Sequence, residues 1–137
     1  MDRKALLAKI ETFLQQPEAT AQALLDMLQE QQGGVGLVPR MLSRRPEAFV
    51  PAAVQSRALY QNPRAINAKT AELAAVAASA ALMCEHCLEA HMRAAQRKGA
   101  SQDEILDVIL VAGAIAESST LSVALRKFRQ MERKLEQ

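Results

Sequence analysis

Between Leu73 and Met83 the chain runs for eleven residues without a charge, and six of them are alanine. Alanine is the strongest helix former, and a helix with no polar face is not stable on a protein surface. This segment therefore requires partners on every side, from other helices of the chain or from other subunits. The remainder of the 137 residues agrees with a helical reading. There are 26 alanines and 17 leucines against three Phe, one Tyr and no Trp. A β-sandwich or barrel draws on aromatic and β-branched residues, so an all-α bundle is expected instead. A hydrophobic share of 50% with a net charge of only +2 excludes a disordered chain. Small side chains bury little apolar area each, at about 25 cal/mol per Å². A lone bundle built this way is modestly stabilised, which points to self-association.

Seventeen Lys+Arg stand against fifteen Asp+Glu. Nucleic-acid binding needs basic residues clustered on one face. Apart from Arg44-Arg45, the densest set is Arg126, Lys127, Arg129, Arg133 and Lys134, interleaved with Glu132 and Glu136. It reads as a solvated helix face, and no nucleic-acid partner is expected. Asp2, Arg3, Lys4 and Lys9 interrupt any signal-peptide core at the N-terminus. The longest uncharged stretch, Leu73 to Cys84, has twelve residues, short of the roughly 18 a membrane span requires. A cytoplasmic location without a membrane partner is expected. In that reducing compartment two neighbouring cysteines read as redox or metal chemistry.

Helical spacing of Leu6, Leu7, Ile10, Phe13 and Leu14 predicts a first helix capped by Asp2 and ended by Pro17. A second runs over 19–31. Gly33-Gly34-Val35-Gly36 then breaks the chain and separates an N-terminal helical arm, 1–35, from a domain over 36–137. A short helical piece covers 39–43. A helix over 48–60 tolerates Pro51 only in its first turn, and Asn62-Pro63 ends it. Asn67 caps a helix reaching about Met83. The next runs from about Cys84 to Lys98 and stops at Gly99. Ser101 to Glu104 is a capping box opening another apolar helix, and Ser118-Ser119-Thr120 can cap a final one to about Lys134.

The chemistry lies in Cys84-Glu85-His86-Cys87-Leu88-Glu89-Ala90-His91. On a helix, Cys84, Cys87 and His91 fall within about 60° of one another, beside Leu88 and Ala95. Three readings are open. The pair can be a redox dithiol, with a thiol pKa lowered at the helix start and His91 taking a proton one turn away. It can supply three ligands of a metal site, whose fourth must come from His86, a carboxylate or another subunit. Or the cysteines can be small buried hydrophobes. Glu72 favours an acid–base role. It shares a stripe with Val76, Ser79 and Met83, and a chain that doubles back near Met83 brings it to His91. A carboxylate there would orient the ring, and partial burial would raise the pKa of Glu72 and let it shuttle protons.

Glu72, eleven residues, then Cys84-x-x-Cys87-x-x-x-His91, with His86 before the second cysteine, resembles the signature of the AhpD-like alkylhydroperoxidases of the carboxymuconolactone decarboxylase superfamily. Asn67 to Leu73 and Gly99 to Ile105 are similar to that family's flanking segments, and the resemblance covers roughly 36–125. It implies an oligomeric AhpD-like helical bundle and a peroxidase that needs no haem, flavin or metal. Cys87 would attack the peroxide and Cys84 would resolve the sulfenic acid. Glu72 and His91 would relay the proton, with His86 assisting. The resemblance also implies a thiol or lipoyl-type reductant protein and a homotrimer or homohexamer. A decarboxylase-like enzyme or a metal-binding protein on the same scaffold is the alternative. One departure stands out: AhpD enzymes tend to carry Asn-Gly just before the first cysteine, and this chain has Leu82-Met83, so sequence alone does not force the bend.

Overall fold

The computed structural model describes residues 2–136, apart from the side chains of Leu6 and Gln32. The apolar role expected of Leu6 lies outside the described residues. Seven α-helices and one π-helical turn account for most of them, with no strand among the described residues. The fold is all-α. The helices are α1 (Arg3–Gln15), α2 (Pro17–Gln32), α3 (Leu37–Leu42), α4 (Pro46–Ser56), α5 (Ala68–Ala81), α6 (Glu85–Arg97) and α7 (Gln102–Leu135). The π-helical turn, Arg57–Gln61, follows α4 directly.

By contacts the chain forms two compact units, Met1–Leu59 and Tyr60–Gln137. In the first, Asp2 caps α1, and Pro17 opens α2, where a residue without an N–H fits the first helical position. Gly33 closes α2 at φ 71°, a left-handed conformation that favours glycine. Helix α2 packs on α1 and α4, and α3 packs on α4. Phe49 and Ala21 are its buried apolar residues. The glycine hinge at Gly33–Gly36 thus lies within this unit, because α4 returns to α2. Pro51 sits in the second turn of α4, not the first as the sequence suggested, because Pro46 starts the helix.

In the second unit α5 packs against both α6 and α7. Val76, Ala95 and Ile105, one from each helix, form the core, with Leu73, Leu88, Met92 and Val108 packed around it. The capping box opens α7 as expected: Ser101 accepts from the Glu104 N–H and Glu104 accepts from the Ser101 N–H. The cap expected at Ser118 to Thr120 does not form. Helix α7 runs through it for 34 residues, and the Thr120 hydroxyl donates to the Ala116 carbonyl one turn back. Only the first half of α7 packs, with Ile105 and Ala112 buried. By length and composition it could cross a membrane: its apolar window has mean hydropathy 1.8 and is 6% buried.

Candidate active site

The site begins where α5 ends. The Cys84 N–H donates to the Ser79 carbonyl at 3.0 Å and the Met83 N–H to the Ala80 carbonyl at 3.1 Å. This pair of bonds is a Schellman motif, which needs a left-handed residue between the last helical residue and the next. Met83 supplies it, with φ 54°. The same motif ends α6, where Ala100 and Gly99 donate to Ala95 and Gln96, and there glycine holds the left-handed position. So the bend forms without Asn-Gly. Helix α5 stops at Ala81 and Met83 is 88% exposed, which removes it from the stripe of Glu72, Val76 and Ser79. Those three are buried.

Cys84 lies outside α6, as its N-cap, rather than in its first turn. Its Sγ accepts the Cys87 N–H at 3.4 Å. Cys84 and Cys87 are joined as a disulfide with their Cα atoms 5.3 Å apart, and both are half-buried. One turn beyond Cys87, His91 Nδ1 lies 2.8 Å from Glu72 Oε2. The short turn at Leu82–Cys84 folds α6 back along α5, and this brings the two side chains together. His86 is exposed on α6 and is not part of this cluster.

Two further residues complete it. Lys98, the C-cap of α6, donates to Glu72 Oε1 at 2.6 Å and to the Tyr60 carbonyl at 2.6 Å. That carbonyl belongs to the end of the π-helical turn, where carbonyls lack helical donors and attract cations. The Tyr60 ring also lies against His91, centroids 4.8 Å apart and tilted by 50°. Tyr60, His91, Glu72 and Lys98 thus form a closed cycle.

The electrostatics reverse one expectation. Burial does oppose ionisation of Glu72, the largest single effect, but hydrogen bonds from His91 and Lys98 and the Lys98 charge outweigh it. The carboxyl is held below its usual value, not raised. An ionised carboxylate only accepts hydrogen bonds, so Nδ1 carries the proton that His91 donates, and Nε2 is the ring nitrogen left outside that bond. The arrangement therefore fixes the orientation of the His91 imidazole one helical turn from the Cys84–Cys87 disulfide.

Lys98 was overlooked because a cation before a C-terminal glycine reads as solvated. The signal was available: Lys98 is seven residues from His91, two turns along the same face. No spacing argument reaches Tyr60 across Asn62-Pro63. A cavity of about 330 Å³ opens between α6 and α7 at Glu89, Met92, Arg93, Gln96, Gln102 and Ile105. Its α6 residues lie on a different face of the helix from Cys87 and His91. Among the described residues, no three His, Cys, Asp or Glu side chains converge as a metal site.

No match to a curated protein or to a solved structure was found. The model of the carboxymuconolactone decarboxylase family matches residues 48–130, from within α4 into the last turns of α7, and so takes in the disulfide, Glu72, His91, Lys98 and Tyr60. With more than half of its length matched, the chain belongs to the carboxymuconolactone decarboxylase family.

Proposed function

We propose that this chain is a thiol-dependent peroxidase that reduces alkyl hydroperoxides at its Cys84–Cys87 pair. The observation that carries the reading is a bridged Cys-x-x-Cys at the start of α6, one turn from an imidazole fixed by a buried carboxylate. His91 takes the Cys87 proton at Nε2. The Cys87 thiolate attacks the outer peroxide oxygen, the O–O bond breaks, and the alcohol leaves with a proton. The Cys84 thiolate then attacks the Cys87 sulfenic acid, and the hydroxyl leaves as water. Two thiols and one hydroperoxide give one disulfide, one alcohol and one water. A dithiol or lipoyl-type reductant protein returns two electrons and two protons. The Cys87 N–H on Cys84 Sγ favours negative charge there and suits Cys84 as the resolving thiolate. The working unit is an assembly of copies joined along α7, whose outer face is apolar.

Mass spectrometry of the reduced protein tests this. An alkyl hydroperoxide should lower the mass by about 2 Da, and Cys84→Ser should trap a sulfenic acid on Cys87. A Cys84→Ser protein that reacts with peroxide yet leaves Cys87 unmodified would reverse the roles. A second reading rests on the same cycle: Glu72, His91 and Lys98 form an acid–base group without sulfur, as a decarboxylase- or hydrolase-like enzyme requires. Turnover of a lactone acid retained in the double Cys→Ser variant would favour it.

A further inference from the structure

We propose that Lys98 is a positioning residue that fixes Glu72 as an anionic acceptor for the N–H of His91 Nδ1. The inference rests on the peroxidase reading for its kinetic consequence, but not for its structural content.

The geometry supports it from three sides. Glu72 is 4% exposed, so its charge needs partners within the protein. Its two oxygens are divided: Oε2 faces His91 Nδ1 and Oε1 faces Lys98 Nζ, at 2.8 and 2.6 Å. A glutamate that met only the histidine would share one proton with it, and the pair would titrate together. With an ammonium group on the other oxygen, protonating the carboxyl would leave Lys98 facing a neutral group.

Lys98 is itself held. The Tyr60 carbonyl takes a second of its three hydrogens at 2.6 Å, and the left-handed turn at Gly99 places its backbone at the end of α6. The other charged groups near Glu72 on the packed helices are committed elsewhere. On α5, Lys69 pairs with Glu104 of α7 at 2.7 Å. On α6, only His91 and Lys98 reach the carboxylate. The Tyr60 side chain meets His91 through its ring. Among the described residues, no cation besides Lys98 and His91 is bonded to Glu72.

The test has two readouts. In reduced protein labelled at the glutamate carboxyl carbons, NMR titration follows Glu72 directly in wild type, Lys98→Met and Lys98→Arg. Lys98→Met should shift the Glu72 midpoint upward by at least about one unit, and Lys98→Arg should restore most of it. In parallel, the pH dependence of hydroperoxide-driven disulfide formation is measured. Lys98→Met should move the acid limb to higher pH, so that the fractional loss of rate grows as pH falls from 8 to 5. A Glu72 midpoint unchanged in Lys98→Met overturns the proposal, as does a loss of rate that is uniform across pH. Should Lys98→Met not fold, nitrogen NMR of His91 in the wild type decides: a proton on Nδ1 across the neutral range supports the proposal, and one on Nε2 overturns it. If no variant reacts with peroxide while the Glu72 midpoint moves, the peroxidase reading fails and the role of Lys98 stands.

Discussion

A carboxylate that is 4% exposed persists as an anion only if its neighbours replace the water it has lost. Glu72 has two such neighbours, and the consequence for stability has a definite sign. Its pKa in the folded protein lies below the ordinary 4.5. The stabilisation is therefore present above pH 4.5 and is lost as pH falls through the lowered folded value. Glu72→Gln should cost about 2–3 kcal/mol at pH 7, somewhat below the usual penalty for breaking a buried pair because Lys98 keeps some solvent contact. The difference between wild type and variant should shrink in acid. Urea unfolding at pH 7 and at pH 3 checks both statements, and a difference that grows in acid would show the carboxyl to be neutral in the native state. At this scale the sequence was informative about Glu72, Cys84, Cys87 and His91, because helical period and a single bend relate them. It is misleading about the charge of Glu72, because the helical pattern shows its burial but not the Lys98 ammonium that opposes the effect of burial.

Helix ends are where the elements depart from their sequence signals, and the cause is local each time. Asn67, Ser101 and Gly99 end their helices as their chemistry requires, since side-chain acceptors and a left-handed glycine serve groups a helix leaves unpaired. Ser118 to Thr120 also carry cap chemistry but do not stop α7, because a hydroxyl within a helix can bond the carbonyl one turn back instead. Met83 is the opposite case, a residue with no turn preference in a position that demands φ above zero. Leaving the right-handed region costs a residue with a Cβ about 1 kcal/mol, and the two hydrogen bonds of the Schellman motif offset it. Because the Met83 side chain is 88% exposed, removing it sacrifices little packing. Met83→Gly should therefore stabilise the protein by up to about 1 kcal/mol, and Met83→Val should destabilise it by more than that, since a β-branched residue tolerates the left-handed region worst. Thermal unfolding of both variants with the disulfide intact measures the pair. Equal Tm values in Gly and Val variants would mean that the bend is not left-handed.

For the whole molecule the governing fact is how much of α7 the chain leaves uncovered. The helix is about 51 Å long at 1.5 Å per residue, yet every described residue from Glu117 onward is exposed. Leu106, Leu110, Leu121, Leu125, Phe128 and Met131 are 49% to 64% exposed and fall within about 120° of arc. Val111, Ile115 and Val123 are also exposed and fall outside that arc, so the uncovered apolar surface of α7 is wider than one stripe. Arg126, Lys127 and Arg129 lie C-terminal to the apolar stretch of the helix, beside Phe128. The assembly of copies proposed above would cover this surface. The composition points the same way, since alanine and leucine with few aromatics bury little area per side chain. Helix α5 packs on α6 and α7 and leaves Ala74, Ala78 and Ala81 exposed, so it too offers apolar surface. Wild-type protein should sediment at three or six times 14.9 kDa at micromolar concentration. Leu121→Asp combined with Phe128→Asp should yield monomers of unchanged helix content, because each buries a charge in the seam and neither touches the described core of Val76, Ala95 and Ile105. Sedimentation velocity with circular dichroism separates the outcomes: a wild type that runs as a monomer, or a double variant that keeps the full assembly, would move the contact off α7.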